Sequence, residues 1–298
     1  MKKTAMKNSN TMKLALGTVQ FGLDYGISND GGKVPIEEVK KILTTAHQNK
    51  IDTLDTGCVY GTCETVLGDV LPGQDFTFNV IDKIPDIETI GKTIAQTLEQ
   101  SLAKLHLEHL EGLLLHNAAD LTDATYQQLN DLKTQGLVKK IGVSVYHPSQ
   151  AFELAERYDL DLIQVPLNLF DQRFIETGCI PWLKERNVEI HARSLFLQGL
   201  LLMKTSQLSS YFHPYMELFD RLDRYCKTLN ITRQQAALTM VHHQDSVDKF
   251  VIGVCSQQQL EQVIQAYQEA RNIEFEMDPF SCHEEALISP FLWPQKKK

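Results

Sequence analysis

Short apolar runs alternate with helix-periodic segments eight times along this chain, with short connections between them. Residues 14–17, 51–55, 76–83, 110–116, 141–144, 162–166, 188–193 and 250–253 read as strands. Helices are expected over 36–47, 63–71, 90–105, 122–136, 148–158, 174–186, 215–229, 233–243 and 257–270. In the third of these strand–helix units, Ile94, Leu98, Leu102 and Leu105 recur at helical spacing. Several strands are almost continuously apolar, the pattern of strands buried on both faces in a parallel sheet covered by helices. Eight such units in 298 residues predict an α/β fold, a (β/α)₈ TIM barrel forming a single domain over residues 13–288. A doubly wound sheet is the alternative, but it normally carries G-x-G-x-x-G after its first strand. Residues 17–22 read GTVQFG and lack that turn. Residues 1–12 and 289–298 are expected to be tails, the first flexible.

Charge narrows the range of partners. The formal net charge of −9 disfavours a nucleic-acid binder or a protein held to an anionic membrane, both of which need basic surface. No apolar run approaches the length of a membrane span. MKKTAMKNSNTMK begins like a signal peptide but has no apolar region after it, so a cytoplasmic protein is expected. The six cysteines, at 58, 63, 179, 226, 255 and 282, form no C-x-x-C pair and suit reduced core residues. The ten histidines offer no ligand pair at the usual spacing, and no metal is expected.

In a barrel of this kind the chemistry sits at the C-terminal ends of the strands. The second strand ends on Asp55, the third on Lys83 and the fourth on His116. After Asp55 the chain turns through Thr56, Gly57 and Cys58 and brings up Tyr60 just before Gly61. Taken singly, Asp55 is a turn former, Tyr60 a packed aromatic and His116 a core histidine. Four such residues at one rim form a coherent acid–base set. Tyr has a reference pKa near 10, and a neighbouring Lys⁺ favours the phenolate and lowers it. Asp55 would hold Lys83 charged, and His116 would orient a carbonyl against the same oxygen. The set has no nucleophile and implies a bound hydride carrier.

DTGCVYG with the strand-end Lys83 and His116 resembles the aldo-keto reductase superfamily. The resemblance continues through KKIGVSVY (139–146), DLIQVPLNLFDQR (161–173), ARSLFLQGLLL (192–202) and VIGVCSQQQLEQV (251–263), covering residues 13–270. It implies a barrel that reduces a small aldehyde or ketone with NADP(H) or NAD(H). Tyr60 would be the general acid, Lys83 and Asp55 its tuning pair, and His116 the carbonyl-positioning group. Gly17, Thr18, Asp55, Ser144 and Gln164 would meet the nicotinamide end of the coenzyme. Ser194, Leu195, Gln198 and Gly199 would lie along the pyrophosphate, and 253–256, with Gly253 and Ser256, around the adenosine. Three departures from the family pattern involve four positions. Val145 follows Ser144 where Asn is common, Arg193 occupies a place often given to a stacking aromatic, and Gly253 and Gln259 replace basic residues around the last turn. Ser256 and Gln259 fit a helix cap and capping box. With no Lys or Arg in 251–260, discrimination for the 2′-phosphate of NADPH is expected to be weak; the alternative is that Lys204 or Arg193 reaches the phosphate from elsewhere. The other activity implied on this fold is a nucleotide-binding sensor or subunit with little turnover, like the potassium-channel β subunits.

Overall fold

Eight parallel strands close into a barrel in sequence order. They are β1 (Leu14–Gly17), β2 (Thr53–Asp55), β3 (Asn79–Ile84), β4 (Leu110–Leu115), β5 (Val138–Ser144), β6 (Leu162–Pro166), β7 (Glu189–Arg193) and β8 (Lys249–Gly253). The last strand pairs with the first, bringing Gly17 beside Gly253. These facts come from a computed structural model that describes residues 12–294.

Inside the barrel, Ile81, Leu114 and Leu162 form a small apolar plug separate from the larger core between strands and helices. Gly112 and Gly142 make room for it. A Cβ on Gly142 would lie 1.7 Å from the Leu162 carbonyl oxygen, and one on Gly112 would lie 2.8 Å from Ile81 Cδ1. The plug closes the barrel beneath the site and leaves the strand ends above it free for polar side chains.

Two expected helices are broken by glycine. Instead of one helix over 90–105 there are two, Ile87–Ile90 and Ile94–Leu105, separated by Gly91 at φ +61. Thr93 and Gln96 start the second with a reciprocal capping box. Gly178, at φ +69, likewise divides 174–186 into Arg173–Glu176 and Cys179–Glu185. The expected third strand also begins later, at Asn79. Phe76 lies before the ladder and stacks on His47 at 4.3 Å, so its apolarity serves helix packing rather than strand pairing.

The C-terminal tail expected over 289–298 is in part packed. Trp293 is buried, its indole N–H donates to the carbonyls of Ala286 and Leu287 at 3.1 Å, and its ring meets Phe212 edge-on at 5.1 Å. A buried indole needs such a partner. The expected flexible segment 1–12 lies outside the described residues except for Met12. No helix among the described residues is long and apolar enough to cross a membrane.

Candidate active site

Side chains alternate between the two faces of a strand, so residues two apart share a face. Ile81 on β3 belongs to the interior plug, which turns Lys83 inward one layer higher. The same step leads from Leu114 to His116 above β4, and from Leu162 to Gln164 on β6. Barrel closure then brings residues far apart in sequence into one polar layer. Lys83 Nζ donates to Asp55 Oδ1 at 2.6 Å and to the Thr56 carbonyl at 2.8 Å. Gln164 Nε2 donates to the other Asp55 oxygen at 2.7 Å. Thr18 donates from both its N–H and its hydroxyl to the Asp55 carbonyl at 3.0 Å. Asp55 and Lys83 are buried at 4% and 1% exposure, so the ion pair is shielded from solvent.

Tyr60 is half-buried above this pair, with Lys83 Nζ 5.3 Å from its ring centre. The His116 ring meets it edge-on at 6.4 Å. The Tyr60 turn is compact. A Cβ on Gly57 would come 3.2 Å from the Tyr60 ring, and Gly61, at φ +61, packs against Gly22.

Electrostatics in this layer differ from the sequence expectation at one point. Burial raises the Tyr60 pKa above its ordinary value, and the Lys83 charge pulls it down without overcoming the burial. The phenol is therefore a firmly protonated donor, and Lys83 limits how far the rise goes. Burial works against the charge on Lys83 as well, but Asp55, with Tyr60 and Asp82 adding to it, outweighs the burial and the ammonium is held above its usual range. Burial, with Lys83 and Arg193 adding to it, pushes His116 down to about 4. His116 is therefore neutral at physiological pH and has one N–H to donate.

The layer opens into a cavity of about 760 Å³. Of the residues expected to bind coenzyme or substrate, Gly17, Thr18, Asp55, Tyr60, His116, Gln164, Arg193, Ser194, Leu195, Gln198, Gly199, Gly253 and Gln259 line it. Three do not. Lys83 is screened behind Asp55 and Tyr60. The Ser144 hydroxyl turns to Arg193 Nε at 3.4 Å, and the Ser256 hydroxyl accepts from Gln259 N at 3.2 Å, capping Gln257–Ala270. The expected capping box is half formed, because the Gln259 carboxamide reaches one residue further back and accepts from Cys255 N at 2.7 Å.

Tyr25 and Arg233 also line the cavity and were not marked in the sequence. Tyr25 accepts from Gln198 Nε2 at 2.7 Å, joining the loop after β1 to the loop after β7. Arg233 lines the far end, its Nε and Nη2 donating to Asp223 at 2.6 Å each and its Nη1 to the Met203 carbonyl at 2.8 Å. The signal for it was the Thr232–Gln235 capping box, which fixes Arg233 at the first turn of Arg233–His243. Lys204 lies exposed on the same end of the cavity.

Directly behind Lys83, Asp82 faces outward into a second buried group. Its Oδ1 accepts the Lys83 N–H at 2.7 Å. Glu64 Oε2 accepts from Lys104 at 2.7 Å, while buried Glu64 Oε1 has no donor. Burial first, and the Glu64 charge second, push Asp82 up to about 7. A protonated Asp82 donating to Glu64 supplies the missing partner. Cys58, Glu64 and Asp82 also place possible metal-ligand atoms within 4.8 Å of one another, but Lys104 holds the counter-charge position.

This pair gives a testable pH dependence. The unfolded Asp titrates near 3.9, so between about pH 4 and pH 7 the native state binds the extra proton, and stability falls as pH rises through that window. Asp82→Asn keeps the acceptor for Lys83 N–H and adds a permanent donor toward Glu64. Its thermal midpoint is expected to match wild type near pH 4 and exceed it by a few degrees near pH 8. Melting curves of both proteins across that range check this; parallel curves would show that Asp82 does not titrate there.

Comparison with known proteins follows the same outline. Residues 13–276 match the aldo/keto reductase family. An uncharacterised oxidoreductase of Bacillus subtilis is 24% identical over 81% of this chain and 86% of its own. A 6-dehydroglucose reductase of Agrobacterium fabrum is 27% identical over 59% of this chain and 66% of its own. In fold, the chain is similar to an aldo-keto reductase from Bacillus halodurans, with a TM-score of 0.72 at 20% identity over 92% of this chain and 94% of that one. A glycerol dehydrogenase from Gluconobacter oxydans is similar too, with a TM-score of 0.69 at 22% identity over 98% and 95% of the two chains.

Proposed function

The chain belongs to the aldo/keto reductase family, an oxidoreductase family using NADP(H) or NAD(H), and from that premise we propose that Tyr60 is the general acid in reduction of a small aldehyde or ketone. The observation that carries this reading is the buried Asp55–Lys83 pair beneath a half-buried phenol, with neutral His116 beside it.

The residues present fit a dinucleotide. A cavity of about 760 Å³ runs from Tyr60 and His116 to Arg233 and Gln262, within the usual size for a cofactor site. Gln20 Oε1, buried with no donor, faces it, and Gly253 leaves space that a Cβ would take, since that atom would meet Gln20 Nε2 at 2.5 Å. Gly17, Thr18 and Gln164 would hold the nicotinamide end, Ser194 to Gly199 the pyrophosphate, and the β8 turn the adenosine. The reduced coenzyme, when bound, supplies the hydride to the carbonyl carbon.

Every other step belongs to the chain. His116 donates its N–H to the carbonyl oxygen and sets its position. Tyr60 gives its phenolic proton to that oxygen as negative charge builds there. Lys83 stabilises the phenolate left behind, and Asp55 holds Lys83 charged and in line. Gln164 restrains Asp55 from the opposite side. Reprotonation of Tyr60 from solvent completes the cycle.

Coenzyme choice follows from the charges at the far end. Arg233 is already neutralised by Asp223, and Gln259 is used in its cap. Lys204 is the cation there without a carboxylate partner among the described residues. We expect NADPH to bind more tightly than NADH by less than about 100-fold, or about 2.7 kcal/mol, and Lys204→Gln to remove most of that preference. Titration with both coenzymes, followed by a panel of aldehydes, tests the reading. Binding of neither coenzyme would reject it, and binding without turnover of any aldehyde would leave a nucleotide-binding subunit.

A further inference from the structure

Two arginines line the cavity, and they stand in different electrostatic states. Arg233 is held by both oxygens of Asp223. Arg193 is half-buried, and no carboxylate pairs with it among the described residues. Its acceptors are neutral: the Val145 carbonyl at 3.1 Å and the hydroxyls of Ser144 and Ser194 at 3.4 Å. A half-buried cation with only neutral acceptors keeps most of its charge available to an incoming anion.

The direction of the side chain decides which anion. Arg193 ends β7, yet its guanidinium bends back to residues that follow β5 and lies over the Tyr146 ring at 4.4 Å. Tyr146 is braced edge-on by Phe291 at 5.3 Å. The charge therefore sits on the His116 side of the cavity, away from the Arg233 end across β8. Its charge reaches the reacting groups, adding to the fall of His116 and opposing the rise of Tyr60.

We propose that Arg193 is the receptor for an oxyanion carried by the substrate, so that the carbonyl compound reduced here bears a carboxylate or phosphate group. This rests on the reading of the cavity as a carbonyl-reducing site. The guanidinium fork matches either oxyanion through paired N–H donors, and stacking on Tyr146 fixes the plane of the fork. The substrate's carbonyl then lies between His116 and Tyr60 with its anionic end over β5.

Matched aldehydes test this, para-carboxybenzaldehyde against para-tolualdehyde, with saturating coenzyme and the wild-type, Arg193→Gln and Arg193→Lys proteins. Wild type is expected to favour the carboxylate in kcat/KM by about tenfold or more. Arg193→Gln should lower kcat/KM for the carboxylate about 10- to 100-fold further than for tolualdehyde, with the difference carried by KM, because any change in Tyr60 or His116 falls on both aldehydes alike. Arg193→Lys should recover part of the loss, because it keeps the charge and loses the fork. Equal losses for both aldehydes would overturn the proposal in favour of a packing role. Weakened coenzyme binding without discrimination between aldehydes would assign the charge to the pyrophosphate instead. If no aldehyde is reduced, the reductase reading fails by itself. Arg193 is then read from the dissociation constants of the two corresponding benzyl alcohols. Unchanged preference between them on Arg193→Gln overturns the proposal.

Discussion

Replacing Tyr60 with Phe is expected to lower kcat for aldehyde reduction by about 10²–10⁴-fold while leaving coenzyme affinity near wild type. The change deletes one hydroxyl. Ring contacts with Lys83 and His116 remain available, and the ring is only half-buried, so little stability is at stake. Burial holds the phenol protonated across the physiological range, which makes it a donor at every pH where the protein is used. His116, pushed down to about 4, is neutral there and is a far weaker acid than its cation. It does not replace the lost proton. Steady-state kinetics with one coenzyme and one good aldehyde give the answer. Retention of more than about half of kcat would remove Tyr60 from the role of acid.

Replacing Lys83 with Met acts on the same proton from below. The Lys83 charge works against the burial that raises Tyr60, so its removal sends the phenol pKa higher still. Alcohol oxidation needs the phenolate. Its basic limb is expected to move to higher pH, and each unit of that shift costs about tenfold in rate at neutral pH. Stability should fall as well. Asp55 loses its 2.6 Å partner and keeps only Gln164, and a broken buried pair typically costs about 3–5 kcal/mol. The pH profile separates the two effects, since loss of packing alone does not move a titration. An unchanged limb in a folded Lys83→Met protein would show that Lys83 does not tune Tyr60.

The barrel and most of its polar layer were legible because both depend on short-range periodicity. A strand end fixes its side chain by parity, so Asp55, Lys83, His116 and Gln164 converge wherever eight such strands close. Parity also turns Asp82 outward beside Lys83, yet its buried pairing with Glu64 depends on how Cys63–Val70 packs, which no local pattern states. The direction of the Tyr60 shift was missed for a similar reason. The Lys83 charge is visible in the sequence, whereas the depth of burial that outweighs it is set by loops folding over the rim. Tyr25 and Lys204 reach the cavity on the loops after β1 and β7, and Arg233 from the first turn of Arg233–His243. Apolar periodicity also ran across Gly91 and Gly178, where the chain takes up a left-handed conformation and starts a new helix.

Transfer of deuterium separates catalytic carbonyl reduction from nucleotide binding alone. Wild-type protein is mixed with an excess of aldehyde and of reduced coenzyme with both hydrogens of its reactive carbon replaced by deuterium. Many equivalents of coenzyme should be oxidised per protein, with the label recovered on the carbinol carbon of the alcohol. Coenzyme that stays reduced, oxidation that stops after one equivalent, or an unlabelled alcohol would contradict catalytic carbonyl reduction.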